Sequence, residues 1–409
     1  MYRSHGGDSL PPAALRTTDE GQAPPFSEVA DKTSSDSCAS TASRYHWAID
    51  FTGSGSEYFR IWIVNLLLTI MTLGLYYPWA RVRRLRYFYT NTLVGQQPLD
   101  FHAEPKKMLR GYLLAVLLFG AYSLAGEYSS TAGLVAFLCV MAIWPLTMNA
   151  SLQFRMSNTS WSGLRFHFSG SAQGAYAAAL PHFLPGLVFL ALLMWMADPE
   201  QVPAWLIPAF GALSVITLLS FPWLYWRLKN FQHRSYGLAS QHTRFKASAA
   251  SFYGVFAKAL GLLLLAGAAM GLVVMATFEL SGLPHGRALG AALASLAAIL
   301  VFLVAVTPYL TSRMQNLVWS KTGNGSLRFV SDLSFRSMLG LTLKNWALML
   351  VTLGLYWPFA AVAVARLRLE SVRMISLLTP KELVAQSRAV QTEALGDAAG
   401  DVFGFEMGL

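Results

Sequence analysis

The sequence predicts an all-α polytopic membrane protein built from internal repeats, with small β-hairpins in its cytoplasmic connectors. The first observation is composition: 54% of the 409 residues are hydrophobic and 13% are charged, whereas a soluble domain carries about 25% charged residues. The second is a series of apolar runs of about 20 residues, the length that crosses a hydrocarbon core of ~30 Å. The third is a proline-to-phenylalanine pattern that recurs along the chain.

The apolar runs define a multi-pass transmembrane domain at residues 45–375. The candidate spans are 61–80, 109–126, 131–149, 180–197, 204–224, 256–279, 287–309 and 340–364. They are apolar on all faces, unlike the amphipathic helices of soluble proteins. Residues 1–44 lack the apolar core of a secretory signal, and their Ser, Thr and Pro content predicts a disordered N-terminal segment. Residues 376–409 form a C-terminal tail.

The connectors between spans share one pattern. A proline near the end of a span is followed, 23 or 21 residues later, by a phenylalanine: Pro78 and Phe101, Pro145 and Phe166, Pro222 and Phe245, Pro308 and Phe329. Turn-forming residues between short β-prone pieces predict a hairpin in each connector. Because sheet edges are unsatisfied in lipid, these hairpins are expected outside the hydrocarbon.

Charge distribution predicts which side the connectors face. Most of the basic residues behind the net charge of +10 lie in the connectors, so the positive-inside rule places them in the cytoplasm. The first and last spans leave two alternatives, because the pattern leaves room for only one span at each end. They either cross simply, with external termini, or re-enter, with both termini cytoplasmic. Glycine and proline close together in "TLGLYYP" and "TLGLYWP" suit a break in a helix.

The same phrase carries a family resemblance. Residues 57–92, "EYFRIWIVNLLLTIMTLGLYYPWARVRRLRYFYTNT", and the later "TLGLYWPF" at 352–359 resemble the YjgN family of bacterial inner-membrane proteins, over roughly residues 46–375. The resemblance implies a multi-pass inner-membrane protein of undetermined activity, with no catalytic residues to carry over. The second copy departs from the first, since Ala361, Ala363 and Val364 replace three of its arginines.

Asn65 and Asn345 occupy matching positions in a segment where nine of sixteen residues are identical, and Lys344 adjoins the second. Polar side chains inside a span tend to face protein or a water-filled cavity. Repeat-built transporters place their sites at broken helices. The three residues are therefore a candidate pore or substrate site, the alternative being an interhelical hydrogen bond.

A second candidate is a contact for anionic lipid or phosphate at the cytoplasmic face. It consists of Arg81, Arg83, Arg84, Arg86, Lys106 and Lys107. The alternative is a topology anchor, since arginines of this kind must lie at or beyond the interface. The expected partners are the bilayer and its anionic lipids. No nucleic acid is expected, because no nucleic-acid motif accompanies the positive charge.

No HExxH, GxSxG, Walker or CxxC motif occurs, and the two cysteines, Cys38 and Cys139, form no framework. We therefore expect no enzyme activity, no metal and no cofactor. The expected function is an integral inner-membrane protein that acts as a transporter or channel subunit, with a site at the repeat interface. The alternative is a non-catalytic membrane scaffold or a lipid- or partner-binding protein.

Overall fold

A computed structural model of the protein describes residues 45–194, 203–238, 241–281, 290, 295–296, 302–379, 382 and 385. The predicted disordered segment 1–44 and nearly all of the tail after residue 379 lie outside the described residues. Parts of the predicted spans 180–197 and 287–309 do so as well.

The described helices run in pairs along the chain. They are α1 Gly55–Met71, α2 Tyr77–Thr90, α3 Pro105–Tyr128, α4 Ser130–Ser157, α5 Ala172–Ala179, α6 Leu184–Met194, α7 Leu206–Arg234, α8 Ala249–Ser281, α9 Thr307–Ser320, α10 Phe335–Val351 and α11 Trp357–Glu370. A 3₁₀ turn, Leu180–His182, joins α5 to α6, and a π-helical turn, Phe302–Val306, precedes α9.

The strands between the pairs contradict the predicted all-α class. They are β1 Tyr45–Phe51, β2 Thr92–Val94, β3 Gln97–Phe101, β4 Thr159–Trp161, β5 Leu164–Phe168, β6 Tyr236–Leu238, β7 Gln241–His242, β8 Arg244–Phe245, β9 Thr322–Gly323, β10 Leu327–Ser331 and β11 Val372–Ser376. All eleven join one antiparallel sheet in the order β7-β6-β5-β4-β3-β2-β1-β11-β10-β9-β8. Since only Thr243 separates the two end strands, β7 and β8, the sheet is a nearly closed barrel.

The all-α prediction was wrong because it treated each hairpin as a local element. A two-stranded hairpin in water is marginal and leaves two edges unpaired. Here neighbouring hairpins pair edge to edge, with β7 and β8 as the two end strands. The N-terminal strand β1 pairs with the C-terminal strand β11 from Tyr45–Ser376 to Ala48–Arg373. Pairing over such distances leaves no local pattern in one sequence.

The interior of the barrel is a packed apolar core. The rings of Trp47 and Trp161 lie 5.3 Å apart, and Trp161 Nε1 donates a hydrogen bond of 3.2 Å to the carbonyl of Val94. Alternate residues of each strand point inward, and Leu164 and Met374 are among the other buried members of this cluster. The barrel is therefore filled by side chains, as small barrels are.

One backbone hydrogen bond in each of five helix pairs joins the start of the pair to its end, at the sheet. The backbone N–H that follows a strand donates to the carbonyl at the end of the same helix pair. The five bonds are Thr52 to Asn91, His102 to Asn158, Ser169 to Ser235, Lys246 to Lys321 and Asp332 to Ser371, at 2.8 to 3.0 Å. Each acceptor lies 13 residues after one of the prolines 78, 145, 222, 308 and 358.

These bonds also correct the spacing of the connector pattern. The equivalent strand ends are Phe101, Phe168, Phe245 and Ser331 rather than Phe166 and Phe329, which lie two residues earlier in β5 and β10. The interval from each proline is then 23 residues in all four connectors. Residues two apart face the same side of a strand, so sequence alone could not choose between them.

In the part of the chain that the structure describes, four helices are long and apolar enough to cross a membrane: Pro105–Tyr128, Thr131–Ser157, Leu206–Arg234 and Ala249–Ala268. The pair Ala172–His182 and Leu184–Leu193, bent by 42°, would be a fifth as one span. By contrast, α1 and α10 have 17 residues each, about 25 Å of helix.

The "TLGLY" segment forms a turn between α1 and α2 whose hydrogen bonds are local, within residues 69–76. The N–H of Gly74 donates to the carbonyl of Thr69 and that of Leu73 to Ile70, the pattern of a Schellman motif. The Thr72 hydroxyl accepts from the N–H of Tyr76 at 3.0 Å. Leu73 and Gly74 both have positive φ, of 50° and 91°, and residues 352–356 repeat the same bonds between α10 and α11.

The first of these turns lies beside α3, well short of its far end. The rings of Tyr77 and Tyr112 are 5.3 Å apart. Tyr112 lies 16 residues before Tyr128, where α3 ends, which corresponds to about 24 Å of helix. The α1–α2 hairpin therefore reaches less than halfway along its neighbour.

Candidate functional site

The helices form a ring under the barrel, in the order in which they occur in the chain. α1 packs on α2 and α11, α3 on α2 and α4, α5 on α4 and α7, α8 on α7 and α9, and α10 on α9 and α11. The second helix of each pair, α2, α4, α7, α9 or α11, carries the buried proline and leads into the sheet.

Side chains from these second helices meet in the interior of the ring. Arg155 on α4 donates a hydrogen bond of 3.4 Å to the hydroxyl of Tyr89 on α2. The positive charge of Arg368 on α11 acts on Lys229 of α7. α7 and α11 are not adjacent in this ring order.

We call this region the central basic chamber. Its residues are Arg155, Lys229, Arg368, Tyr89, Tyr225, Tyr236 and Gln315. Burial raises the pKa of the Tyr236 hydroxyl, and the charge of Arg155 acts in the opposite direction. The chamber residues thus include three cations, which come from three different helices.

The cations of the chamber lack acidic partners. Among the described residues, the ion pairs are Glu104–Lys107, Glu370–Arg366 and Asp332–Arg373. None of them involves a chamber residue, so the chamber has a positive field. Cations without a carboxylate partner can form charge-assisted hydrogen bonds with an anion.

Arg368 is held in place by a glutamine. Its Nε donates to Gln315 Oε1 at 2.8 Å, while Gln315 Nε2 donates to the Arg368 carbonyl at 2.8 Å and to Ser371 Oγ at 2.9 Å. Burial lowers the pKa of the Arg368 guanidinium, yet its side chain stays exposed. The guanidinium remains charged, as arginine does in proteins.

Lys229 is oriented by its own helix. Its Nζ donates to Gln232 Oε1 at 3.1 Å and lies 5.6 Å from the centre of the Tyr225 ring, within cation–π range. One turn further on, His233 is buried, and its Nδ1 lies 3.0 Å from Thr322 Oγ1. This contact ties the end of α7 to strand β9.

The predicted pore residues Asn65, Asn345 and Lys344 lie on two helices, and their role stays a prediction. Asn65 and Asn345 are 6% and 4% exposed, and their Oδ1 atoms have no hydrogen-bond partner in the described part of the chain. They lie on α1 and α10, which pack on α11 separately, and no described hydrogen bond joins them. Lys344 is exposed beside the exposed Leu343 and Trp346, so it lies on a different face of α10 from Asn345.

The predicted lipid-contact residues Arg81, Arg83, Arg84, Arg86, Lys106 and Lys107 are all exposed. Two of them also have contacts within the protein. Lys107 pairs with Glu104 at 3.3 Å, and the guanidinium of Arg84 lies 5.2 Å from the ring centre of Trp357 on α11. A lipid or phosphate contact at this cluster stays a prediction.

Sequence reasoning treated the chamber cations only as markers of topology. A signal was present in their distance from the prolines. Arg155 and Arg368 each lie ten residues after a proline, whereas Lys229 and Gln315 lie seven after theirs. Positions three apart share a helix face, so aligning all five second helices on their prolines brings these residues together.

Comparison with known proteins identifies the family. The family model described as "Bacterial protein of unknown function (DUF898)" matches residues 46–402. The chain belongs to this family. The inner membrane protein YjgN of Salmonella typhimurium (strain LT2) is 26% identical over 376 residues, which cover 87% of this chain and 95% of that protein.

Two shorter matches agree with this assignment. The inner membrane protein YjgN of Escherichia coli O157:H7 is 31% identical over 143 residues, 35% of each chain. That of Escherichia coli K12 is 30% identical over 156 residues, 38% of this chain and 39% of that protein. No solved structure matches the chain.

The predicted resemblance to the YjgN family is thereby confirmed. The relatives are named inner membrane proteins, and this DUF898 protein has at least four helices long enough to span a bilayer. It is a multi-pass protein of the bacterial inner membrane. The family description assigns no activity.

Proposed function

We propose that the protein is a transporter or channel subunit that moves an anionic solute through the central basic chamber. The observation that carries the proposal is the pair of cations Lys229 and Arg368, each held by a glutamine and neither with a carboxylate partner among the described residues. Rings of arginine and lysine select anions in other pores. An anionic solute would offset the cost of keeping these cations close together.

We further propose that the chamber lies at the interface of a fivefold internal repeat. Each proposed unit is a helix pair followed by a connector of the sheet. Five hydrogen bonds at a constant distance from five prolines support this division. Transporters built from repeats bind their substrates where the repeats meet.

The terminal helix pairs are proposed to be re-entrant, with the sheet and both termini in the cytoplasm. Both pairs start and end at the sheet, and their turns satisfy their own backbone groups, as lipid requires. Leu73 and Leu353 at the two tips are 95% and 93% exposed. Apolar tips of this kind fit the hydrocarbon of the bilayer.

The second candidate is a non-catalytic scaffold or lipid-binding protein. The filled barrel favours it, since Trp47 and Trp161 occupy its apolar core. A solute leaving the chamber towards the cytoplasm must displace this core or pass between helices. We propose no catalytic activity in either case.

The test is anion flux into proteoliposomes that contain the purified protein. Chloride, phosphate and small carboxylates are offered in turn to the wild type and to an Arg368→Gln/Lys229→Gln double variant. The double variant is expected to lower the rate at least about tenfold, because a hydrogen bond to a charged group contributes about 1.5–3 kcal/mol.

The matched control is Arg165→Gln/Arg328→Gln, which removes two exposed arginines of the sheet. Its flux is expected to equal that of the wild type, and elution as a monodisperse species would show that all variants are folded. Equal flux in the wild type and the chamber variant, or no flux of any anion above that of empty liposomes, would reject transport through the chamber.

A further inference from the structure

A second basic site lies on the flank of the ring, apart from the central chamber. A cavity of about 580 Å³ opens between the start of α5 and the last turns of α7. Its volume is in the range of small-ligand sites, about 300–1,000 Å³. It includes none of the basic residues that the sequence singled out as a lipid or phosphate contact.

Two arginines of α7 give this cavity its charge. Arg227 and Arg234 both line it, with the amide of Asn230 between them. They lie seven residues apart, close to two helical turns, and so share one helix face. No acidic residue lines the cavity, and neither arginine belongs to an ion pair among the described residues.

The position of Arg227 is fixed by contacts within the protein. Its Nε donates a hydrogen bond of 2.7 Å to the carbonyl of Ala177. Its guanidinium lies 5.2 Å from the ring centre of Trp223. The side chain is therefore held at the wall of the cavity, and a ligand need not order it first.

Small residues on the opposite wall keep the space open. A Cβ at Gly174 would lie 2.9 Å from Phe231, and one at Gly170 would lie 2.8 Å from the same ring. Ala177 and Ala178 continue this wall. A larger side chain at either glycine would collide with α7 or fill the cavity.

The cavity lies at the level where lipid headgroups are expected. The preceding part of α7 carries exposed apolar side chains, among them Leu218, Leu219 and Phe221. Trp223 and Trp226 follow, and tryptophans of this kind mark the interface between hydrocarbon and water. Arg234 is at the sheet end of the same helix, on the basic side, where the leaflet is anionic.

We propose that this cavity binds the phosphate headgroup of an anionic phospholipid of the cytoplasmic leaflet. The phosphate lies between Arg227 and Arg234, and the acyl chains run along the apolar surface of α7. A phosphate accepts charge-assisted hydrogen bonds from guanidinium groups. The site is independent of the proposed transport, because none of its residues belongs to the central basic chamber.

The test is native mass spectrometry of delipidated protein in a neutral detergent. Phosphatidylglycerol, phosphatidylcholine and soluble glycerol 3-phosphate are titrated separately. The wild type is expected to retain one tightly bound phosphatidylglycerol more than an Arg227→Gln/Arg234→Gln variant, whose affinity falls about tenfold. The Arg165→Gln/Arg328→Gln variant is expected to match the wild type, and Arg227→Lys/Arg234→Lys is expected to restore part of the binding.

Three outcomes would overturn the proposal. Equal phosphatidylglycerol binding in the wild type and the Arg227→Gln/Arg234→Gln variant would show that the lipid does not bind in this cavity. Phosphatidylcholine binding as tight as phosphatidylglycerol would show that charge is not recognised. Glycerol 3-phosphate binding as tight as the lipid, and lost in the same variant, would show that the ligand is a soluble phosphate. A thermal unfolding curve for each variant separates lost binding from lost folding.

Discussion

The guanidinium of Arg366 donates a hydrogen bond of 2.9 Å to the carbonyl of Gly53, a residue 313 positions earlier in the chain. Two other connectors have the same contact: Gln153 donates to the carbonyl of Gly170 at 3.3 Å and Asn316 donates to that of Leu333 at 3.0 Å. Each donor lies eight residues after a proline. The C-terminal helix α11 and the segment after the N-terminal strand β1 therefore make together a contact that the other two connectors make within one continuous stretch of chain.

Replacing Arg366 should weaken this contact between the two ends of the described chain. We expect Arg366→Ala to lower the free energy of unfolding by about 1–3 kcal/mol, because a hydrogen bond with a charged donor is lost. The measurement is thermal unfolding in detergent. Arg366 also pairs with Glu370 at 3.8 Å, where both side chains are about half exposed.

Glu370→Gln is the matched control for this prediction. It removes the ion pair and keeps the bond to Gly53, and an exposed pair contributes little. An unfolding temperature that dropped as far in Glu370→Gln as in Arg366→Ala would assign the effect to the ion pair instead.

The proposed re-entrant topology predicts which positions are accessible from the periplasm. Single cysteines are placed at Leu73, Leu353 and Tyr128 in a background without Cys38 and Cys139. A membrane-impermeant thiol reagent added to intact spheroplasts should label only position 128, at the far end of α3, where Tyr128 is 91% exposed. Labelling at 73 or 353 as strong as at 128 would mean that the terminal pairs cross the membrane.

The turn at the tip of the last hairpin depends on a glycine. Gly354 has a φ of +88°, and no atom lies within 4 Å of the place where its Cβ would be. Any cost of Gly354→Ala thus comes from the backbone, and we expect a loss of about 1–2 kcal/mol in unfolding free energy. Gly111→Ala on α3, also with open space around it, should be neutral or slightly stabilising. Equal stability of the two variants would contradict this role for Gly354.

The sequence predicted the hairpin connectors but not the eleven-stranded sheet that they form together. Turn-formers and short alternating pieces such as "LRFHF" indicated the hairpins, because turn chemistry and period-two alternation are local. The barrel depends on pairs such as β1 with β11, whose partners are over 300 residues apart. Hydrophobicity likewise located the apolar segments, but α1 ends at Met71 and α2 begins at Tyr77 inside the predicted span 61–80. A mean over 20 residues does not detect that break.

The candidate site shows the same limit. Asn65 and Asn345 were identified because their segments are similar in sequence, and both are buried. The chamber cations form no local sequence motif, since Arg155, Lys229 and Arg368 come from three different helices. Only the folded ring brings the charge of Arg368 on α11 to act on Lys229 of α7.

The outer face of the sheet should make the fold sensitive to acid. The rings of His167 and His242 lie 4.9 Å apart, and His167 covers Gly237, where a Cβ would have no room. Burial first, and then the neighbouring His242, lower the pKa of His167 below its usual 6.5. The unfolded chain therefore binds this proton more readily than the folded one, so stability is complete above pH 6.5 and falls as the pH drops below it.

Unfolding temperatures measured between pH 7.5 and 5 should decline in the wild type and decline less in His167→Gln. His46→Gln, which alters an exposed histidine of β1, serves as the control, and its profile should follow that of the wild type. If His167→Gln also followed the wild type, acid sensitivity would have to come from other groups.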